Sequence, residues 1–83
     1  MRVNVKLFAG LSEFLPPGSR HNETPVQAAP GTTLGQLIER LNIPPERVHL
    51  VLLNGLYVER GERQTTRLAD GDAVALWPPV AGG

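Results

Sequence analysis

The residues best suited to chemistry in this chain are its last ones. Pro78-Pro79-Val80-Ala81-Gly82-Gly83 ends in a diglycine carboxylate. A carboxylate on a projecting arm is a group that another enzyme can activate, so the reacting atom belongs to the Gly83 backbone and not to a pocket. Glycine at both last positions offers no Cβ to obstruct an attacking nucleophile or the walls of a narrow channel, and Gly82 supplies the conformational freedom to enter one. Pro78 and Pro79 lack N–H donors and favour an extended path, which predicts that they end the last strand and project the tail outward.

Little else in the chain suits catalysis. His21 and His49 are far apart and neither has a companion at ligand spacing, so no metal site is expected. Asp70 and Asp72 flank Gly71 and read as turn formers, not as an acid–base pair. Gly31 and Gly35 lack the pattern of a phosphate-binding loop, and no Gly-Lys-Ser/Thr occurs, so no nucleotide-binding loop is expected in this chain. With no cysteine there is no disulfide, thiolate metal site or thiol intermediate, a usage compatible with a reducing compartment.

Eight basic residues balance eight acidic ones without a basic run, which gives nucleic acid or an anionic membrane no electrostatic reason to bind. No stretch approaches a transmembrane helix and the start reads as a strand instead of a signal peptide, so a cytoplasmic protein is expected. Lys6 is the single lysine, against seven arginines, so the chain offers little for building isopeptide-linked chains of itself.

Eighty-three residues make one domain with one modest core. Val3, Val5 and Leu7 alternate with Arg2, Asn4 and Lys6 as a first strand with one face on that core. Leu11, Phe14 and Leu15 suit one helical turn before Pro16-Pro17-Gly18. Thr24, Val26 and Ala28 alternate again, and Pro25 among them assigns this strand to a sheet edge. Thr33 with Gln36 is a capping-box signature, and Leu34, Leu37, Ile38 and Leu41 form one apolar helix face that Pro44-Pro45 terminates. The apolar run 49–53 suits an interior strand, and Asn54-Gly55 predicts a tight hairpin into Leu56-Tyr57-Val58. A polar loop follows, in which 59–63 reads as a solvated turn, and Asp70-Gly71 launches the final strand 73–77.

One helix covers only one face of such a sheet. Leu50 and Leu52 alternate with Val51 and Leu53 so that both faces of the third strand are apolar, Phe8 shares the outward parity of Asn4 and Lys6, and Trp77 alternates away from Val74 and Leu76. Phe8, Leu52 and Trp77 are therefore expected on an open face at the root of the tail, where they would dock partners together with Pro78, Pro79 and Val80. The expected division is a domain over 1–77 and a flexible tail over 78–83.

This strand-strand-helix-strand-strand-strand order with a diglycine ending resembles the ubiquitin-like β-grasp sulfur carriers, the MoaD/ThiS family. The Leu-x-Asp-Gly-Asp-x-Val run at 68–74, the Asn54-Gly55 hairpin and the Pro-Pro-Val-x-Gly-Gly ending carry the resemblance, with Phe8-Ala9, Leu11 and Glu13 near the start. The ending looks most like the branch that contains the molybdopterin synthase small subunit. The fold this implies is α+β: a mixed sheet of four to five strands with one main helix on one face.

The function implied is that of a non-catalytic carrier, with no bound cofactor. An adenylating enzyme of the ubiquitin-activating type would join Gly83 to AMP, and sulfur from a persulfide donor would then replace AMP. The resulting thiocarboxylate would serve the large subunit of molybdopterin synthase. The glycyl-adenylate and the thiocarboxylate are the covalent intermediates. Carriage of sulfur toward thiazole or tRNA, a ubiquitin-like modifier that joins lysines, and a binding module with an inert tail remain alternatives at this point, because fold analogy does not choose the acceptor.

Overall fold

A computed structural model describes residues 1–79 of the chain. Five strands and one α-helix follow the order β1 (Arg2–Leu7), β2 (Glu23–Gln27), α1 (Leu34–Arg40), β3 (Leu50–Leu53), β4 (Leu56–Tyr57) and β5 (Ala73–Trp77), with short 3₁₀ turns at Ala9–Phe14, Pro45–Arg47 and Arg60–Glu62. The strands form one mixed sheet ordered β2-β1-β5-β3-β4. The pair β1–β5 is parallel and the other pairs are antiparallel. This is the α+β β-grasp architecture.

Alternation in the strands decides which face packs. Val3, Val5 and Leu7 of β1, Val51 of β3 and Val74 and Leu76 of β5 are buried against Leu34, Leu37 and Ile38 of α1. Burying a Val or Leu side chain contributes about 1.5–3 kcal/mol, so this one face holds most of the stabilising surface. β2 lies at an edge, as Pro25 requires, and among the described residues pairs only with β1.

Local chemistry sets the helix ends. Thr33 Oγ1 accepts from Gln36 N–H at 3.2 Å while Gln36 Oε1 accepts from Thr33 N–H at 2.9 Å, a complete capping box. The stop comes earlier than the two prolines. Asn42 takes a left-handed conformation (φ 62°). Its N–H donates to the Glu39 carbonyl and the Ile43 N–H to the Ile38 carbonyl, the Schellman pairing that closes a helix.

Asn54 and Gly55 both have positive φ, at 52° and 83°, as a two-residue hairpin turn demands. The Asn54 side chain also ties the hairpin to β5, its Nδ2 donating to Asp72 Oδ1 and its Oδ1 accepting from Ala73 N–H, both at 2.9 Å. Asp72 Oδ2 accepts from Ala69 N–H at 2.8 Å, and Asp70 Oδ1 accepts from Arg2 N–H at 2.7 Å. Asp72 thus closes the turn while Asp70 ties it to the start of β1, and Leu68 tucks into the core beneath them.

One expectation is corrected. The segment 59–63 is not simply a solvated turn, because Arg63 is only 6% exposed. β4 ends at Tyr57, and the chain beyond it continues to serve the β3 edge by other means. Val58 N–H donates to the Val51 carbonyl at 3.0 Å, and the guanidiniums of Arg63 and Arg60 reach the carbonyls of His49 (3.3 Å) and Val48 (3.4 Å). Burial, and next the like charge of Arg60, push the Arg63 guanidinium below its usual value.

Candidate functional site

β5 positions the base of the tail. It lies between β1 and β3, and its core-facing Val74 and Leu76 are buried, so Ala73, Ala75 and Trp77 turn to the opposite, helix-free face. Strand register gathers apolar neighbours around them: Leu50 stands opposite Trp77, Leu52 opposite Ala75, and Tyr57 opposite Leu52. Phe8 joins from the end of β1, its N–H donating to the Leu76 carbonyl at 3.1 Å.

Phe8 and Trp77 stack face to face, with ring centroids 4.3 Å apart and planes inclined by 5°. The parity read from the sequence holds for both. Trp77 is nonetheless half-buried where the open-face reading implies a free ring, since Phe8 covers one of its faces. Leu52 is also half-buried, and Tyr57 is 60% exposed. The three docking residues expected from the sequence therefore share one face.

Leu50 and Tyr57 belong to the same face and were not singled out. The signal was available: Leu50 is two residues from Leu52 on one strand, and a two-residue turn at 54–55 places 57 opposite 52.

Beside Trp77 a groove of about 630 Å³ runs between Ala9, Gly10, Glu46, Arg47, Trp77, Pro78 and Pro79. The two prolines form part of its wall. Arg47 is steadied there by Glu13 at 3.0 Å and by the Phe14 ring, 5.2 Å from its guanidinium carbon. Lys6 pairs with Glu23 at 3.0 Å and lies 5.8 Å from the centre of the Phe8 ring. The hydrogen bond from Lys6, and then its charge, hold the Glu23 carboxyl below the usual carboxylate range.

Val80, Gly82 and Gly83 lie outside the described residues. Among the described residues no group of three or more His, Cys, Asp or Glu side chains gathers as metal ligands, and His21 and His49 stay apart in different parts of the fold. Among the same residues no helix is long and apolar enough to cross a membrane.

A β-grasp sheet whose central strand carries an aromatic stack at the root of a diglycine tail defines a class, the small ubiquitin-like carrier and modifier domains. The chain belongs to the ThiS family, whose model matches residues 5–83. Its fold and family place it among the small ubiquitin-like domains.

Small archaeal modifier protein 3 of Haloferax volcanii is 48% identical over 50 residues, 59% of this chain and 51% of that protein, so the match spans about half of the relative's length. The crystal structure of SAMP1 from Haloferax volcanii superposes with a TM-score of 0.71 at 26% identity, covering 100% of both chains. A putative molybdopterin converting factor, subunit 1, from Pyrococcus furiosus superposes with a TM-score of 0.70 at 26% identity over 95% of this chain and 98% of the other. The leaning toward the molybdopterin branch drawn from the Pro-Pro-Val-x-Gly-Gly ending is thus met by similarity to modifier proteins as well.

Proposed function

We propose that this chain is a ubiquitin-like protein modifier that also carries sulfur, both activities running through the Gly83 carboxylate. The observation that carries the reading is the 48% identity over 50 residues to a small archaeal modifier protein, combined with the diglycine ending. An adenylating enzyme of the ubiquitin-activating type joins Gly83 to AMP, which turns an unreactive carboxylate into a mixed anhydride.

Two nucleophiles then compete for one carbonyl carbon. A lysine amine of a target protein forms an amide and releases AMP. A persulfide sulfur displaces AMP instead, and a thiol then cleaves the new S–S bond to leave the thiocarboxylate. This chain has no cysteine, so both the persulfide and the thiol come from partners. Phe8, Leu52 and Trp77 dock the partner, while Pro78, Pro79 and Val80 lead Gly82 and Gly83 into its channel. The reaction belongs to the cytoplasm, where ATP and thiols are available.

A second reading makes the chain the small subunit of molybdopterin synthase, its thiocarboxylate entering the large subunit. The Pro-Pro-Val-x-Gly-Gly ending and the similarity to a putative molybdopterin converting factor favour it.

Mass spectrometry of protein from cells tests these readings. The last Lys or Arg of the chain is Arg67, so tryptic digestion of a conjugate leaves the segment 68–83 on the target lysine. Such branched peptides together with a thiocarboxylate on the free chain are the expected result. A thiocarboxylate without branched peptides removes the modifier half and favours the synthase reading, and an unmodified tail in both searches overturns the proposal.

A further inference from the structure

After Val58 the chain leaves the edge of the sheet. The Val58 N–H donates to the Val51 carbonyl, but the backbone then coils on itself, the N–H groups of Glu62 and Arg63 donating to the carbonyls of Glu59 (2.9 Å) and Arg60 (3.4 Å). Side chains reach back in its place: Arg60 Nη2 donates to the Val48 carbonyl at 3.4 Å and Arg63 Nη2 to the His49 carbonyl at 3.3 Å. A guanidinium presents several donors on a rigid fork at the end of a long stem, which suits it to span from a turn to a strand.

As a source of stability Arg63 is a poor choice. It is 6% exposed, its Nε has no hydrogen-bond partner among the described residues, and the like charge of Arg60 bears on it. A buried charge of this kind costs more than a packed apolar side chain of similar volume. What the apolar side chain would lack is a donor aimed at the His49 carbonyl.

The peptide groups held in this way adjoin the tail. The Val48 carbonyl and the His49 N–H belong to one amide, and that N–H donates to the Trp77 carbonyl at 2.8 Å. An amide whose carbonyl already accepts a hydrogen bond is the stronger donor for it. Pro78 and Pro79 have no N–H, so among the described residues this is the last backbone hydrogen bond before the tail. On the β1 side the Phe8 N–H holds the Leu76 carbonyl, one residue short of Trp77.

We propose that Arg60 and Arg63 are positioning residues for the reaction at Gly83: by clamping the peptide groups on both sides of His49 they fix the Trp77 carbonyl, and with it the Trp77 ring against Phe8 and the direction in which Pro78 leaves the sheet. The inference rests on the docking role given above to Phe8 and Trp77. Both arginines act through His49 and not on the reacting carbonyl. The turn that carries them is anchored in its own right, since the Arg63 carbonyl accepts from the Gly35 N–H of α1 at 2.8 Å. Helix, sheet edge and tail root are thus tied in one line.

The test uses the intact chain, whose single tryptophan is Trp77, so its emission reports on the stack. Arg60→Met/Arg63→Met is compared with wild type and with Asn54→Ala, which loosens β5 at its other end. By NMR, the ratio of the His49 to the Val5 amide exchange rate is expected to rise about tenfold in the double variant, a local opening, with a shift in Trp77 emission. Asn54→Ala is expected to leave both the ratio and the emission unchanged. With a purified adenylating enzyme that supports ATP–pyrophosphate exchange, the double variant is expected to raise the chain concentration at half-maximal rate about fivefold with the saturated rate unchanged, the mark of lost docking. If the double variant does not fold, Arg60→Lys/Arg63→Lys, which keeps a donor on each side chain but loses the fork, is read by the same measures. A wild-type ratio and emission overturn the inference, as does a change that Asn54→Ala shares. Wild-type exchange kinetics in the double variant while Trp77→Ala is impaired overturn the positioning role and leave the docking face standing. Wild-type kinetics for Trp77→Ala overturn the docking face, and the inference with it.

Discussion

Trp77 and Gly82 carry the expectations that belong to single residues. A buried core tryptophan cut to alanine costs about 3–5 kcal/mol of stability. Trp77 lies on the helix-free face with one side against Phe8, so its loss removes an aromatic pair and part of one ring's burial, about 1–2 kcal/mol. Binding to the activating enzyme is expected to weaken by more than that fraction suggests, roughly thirtyfold if Trp77 is an interface anchor. Denaturant titration and a binding isotherm on Trp77→Ala check both numbers. For Gly82→Ala the expected signs are reversed in emphasis: thermal unfolding unchanged, adenylation slowed by a Cβ inside the partner's channel. Equal adenylation rates for the two proteins would show a channel wide enough for alanine. At this scale the parity of Phe8 and Trp77 was readable because strand alternation is local, whereas their stacking was not, since it joins the ends of two strands remote in the chain.

Among the elements, the best-read ones are those whose signals lie within a few residues. The capping box at Thr33 and the Asn54-Gly55 turn are both set by neighbours in sequence. They are expected to differ in energetic weight. Thr33→Ala removes one cap and is expected to cost about 1 kcal/mol. Asn54→Ala loses two side-chain hydrogen bonds to the Asp72–Ala73 segment and also puts alanine at positive φ, so a larger loss of about 2–3 kcal/mol is expected. Chemical denaturation of the two variants side by side decides the order. Segment 59–63 fails the reading as a solvated turn for the opposite reason. Its composition is that of a surface loop, but the shortness of β4 leaves carbonyls at Val48 and His49 that Arg60 and Arg63 reach, and α1 accepts the loop as a strap, with Leu34 and Gly35 N–H groups donating to the carbonyls of Thr66 and Arg63 at 2.8 Å. No local pattern encodes a contact between a loop and a distant strand.

At the scale of the whole molecule, the strand sequence was legible and the sheet order was not, because order depends on which strands meet across the core. The order β2-β1-β5-β3-β4 puts the last strand, the one that leads into the tail, in the middle of the sheet. That placement governs how the molecule bears load. A motor protein pulling on a target to which this chain is joined through its C-terminus would draw β5 along its own axis, against the parallel ladder with β1 and the antiparallel ladder with β3 together. Bonds loaded in shear must yield as a group, while those of the edge strands β2 and β4, pulled sideways, open one after another. Force spectroscopy is therefore expected to give a higher rupture force when the chain is held by Trp77 and Arg2 than when it is held across the β3–β4 hairpin, and equal forces would contradict it. A joined chain would act as a mechanical stop, slow to be dragged through a narrow pore, and more readily recovered whole by an enzyme that cuts beyond Gly83 than consumed with its target.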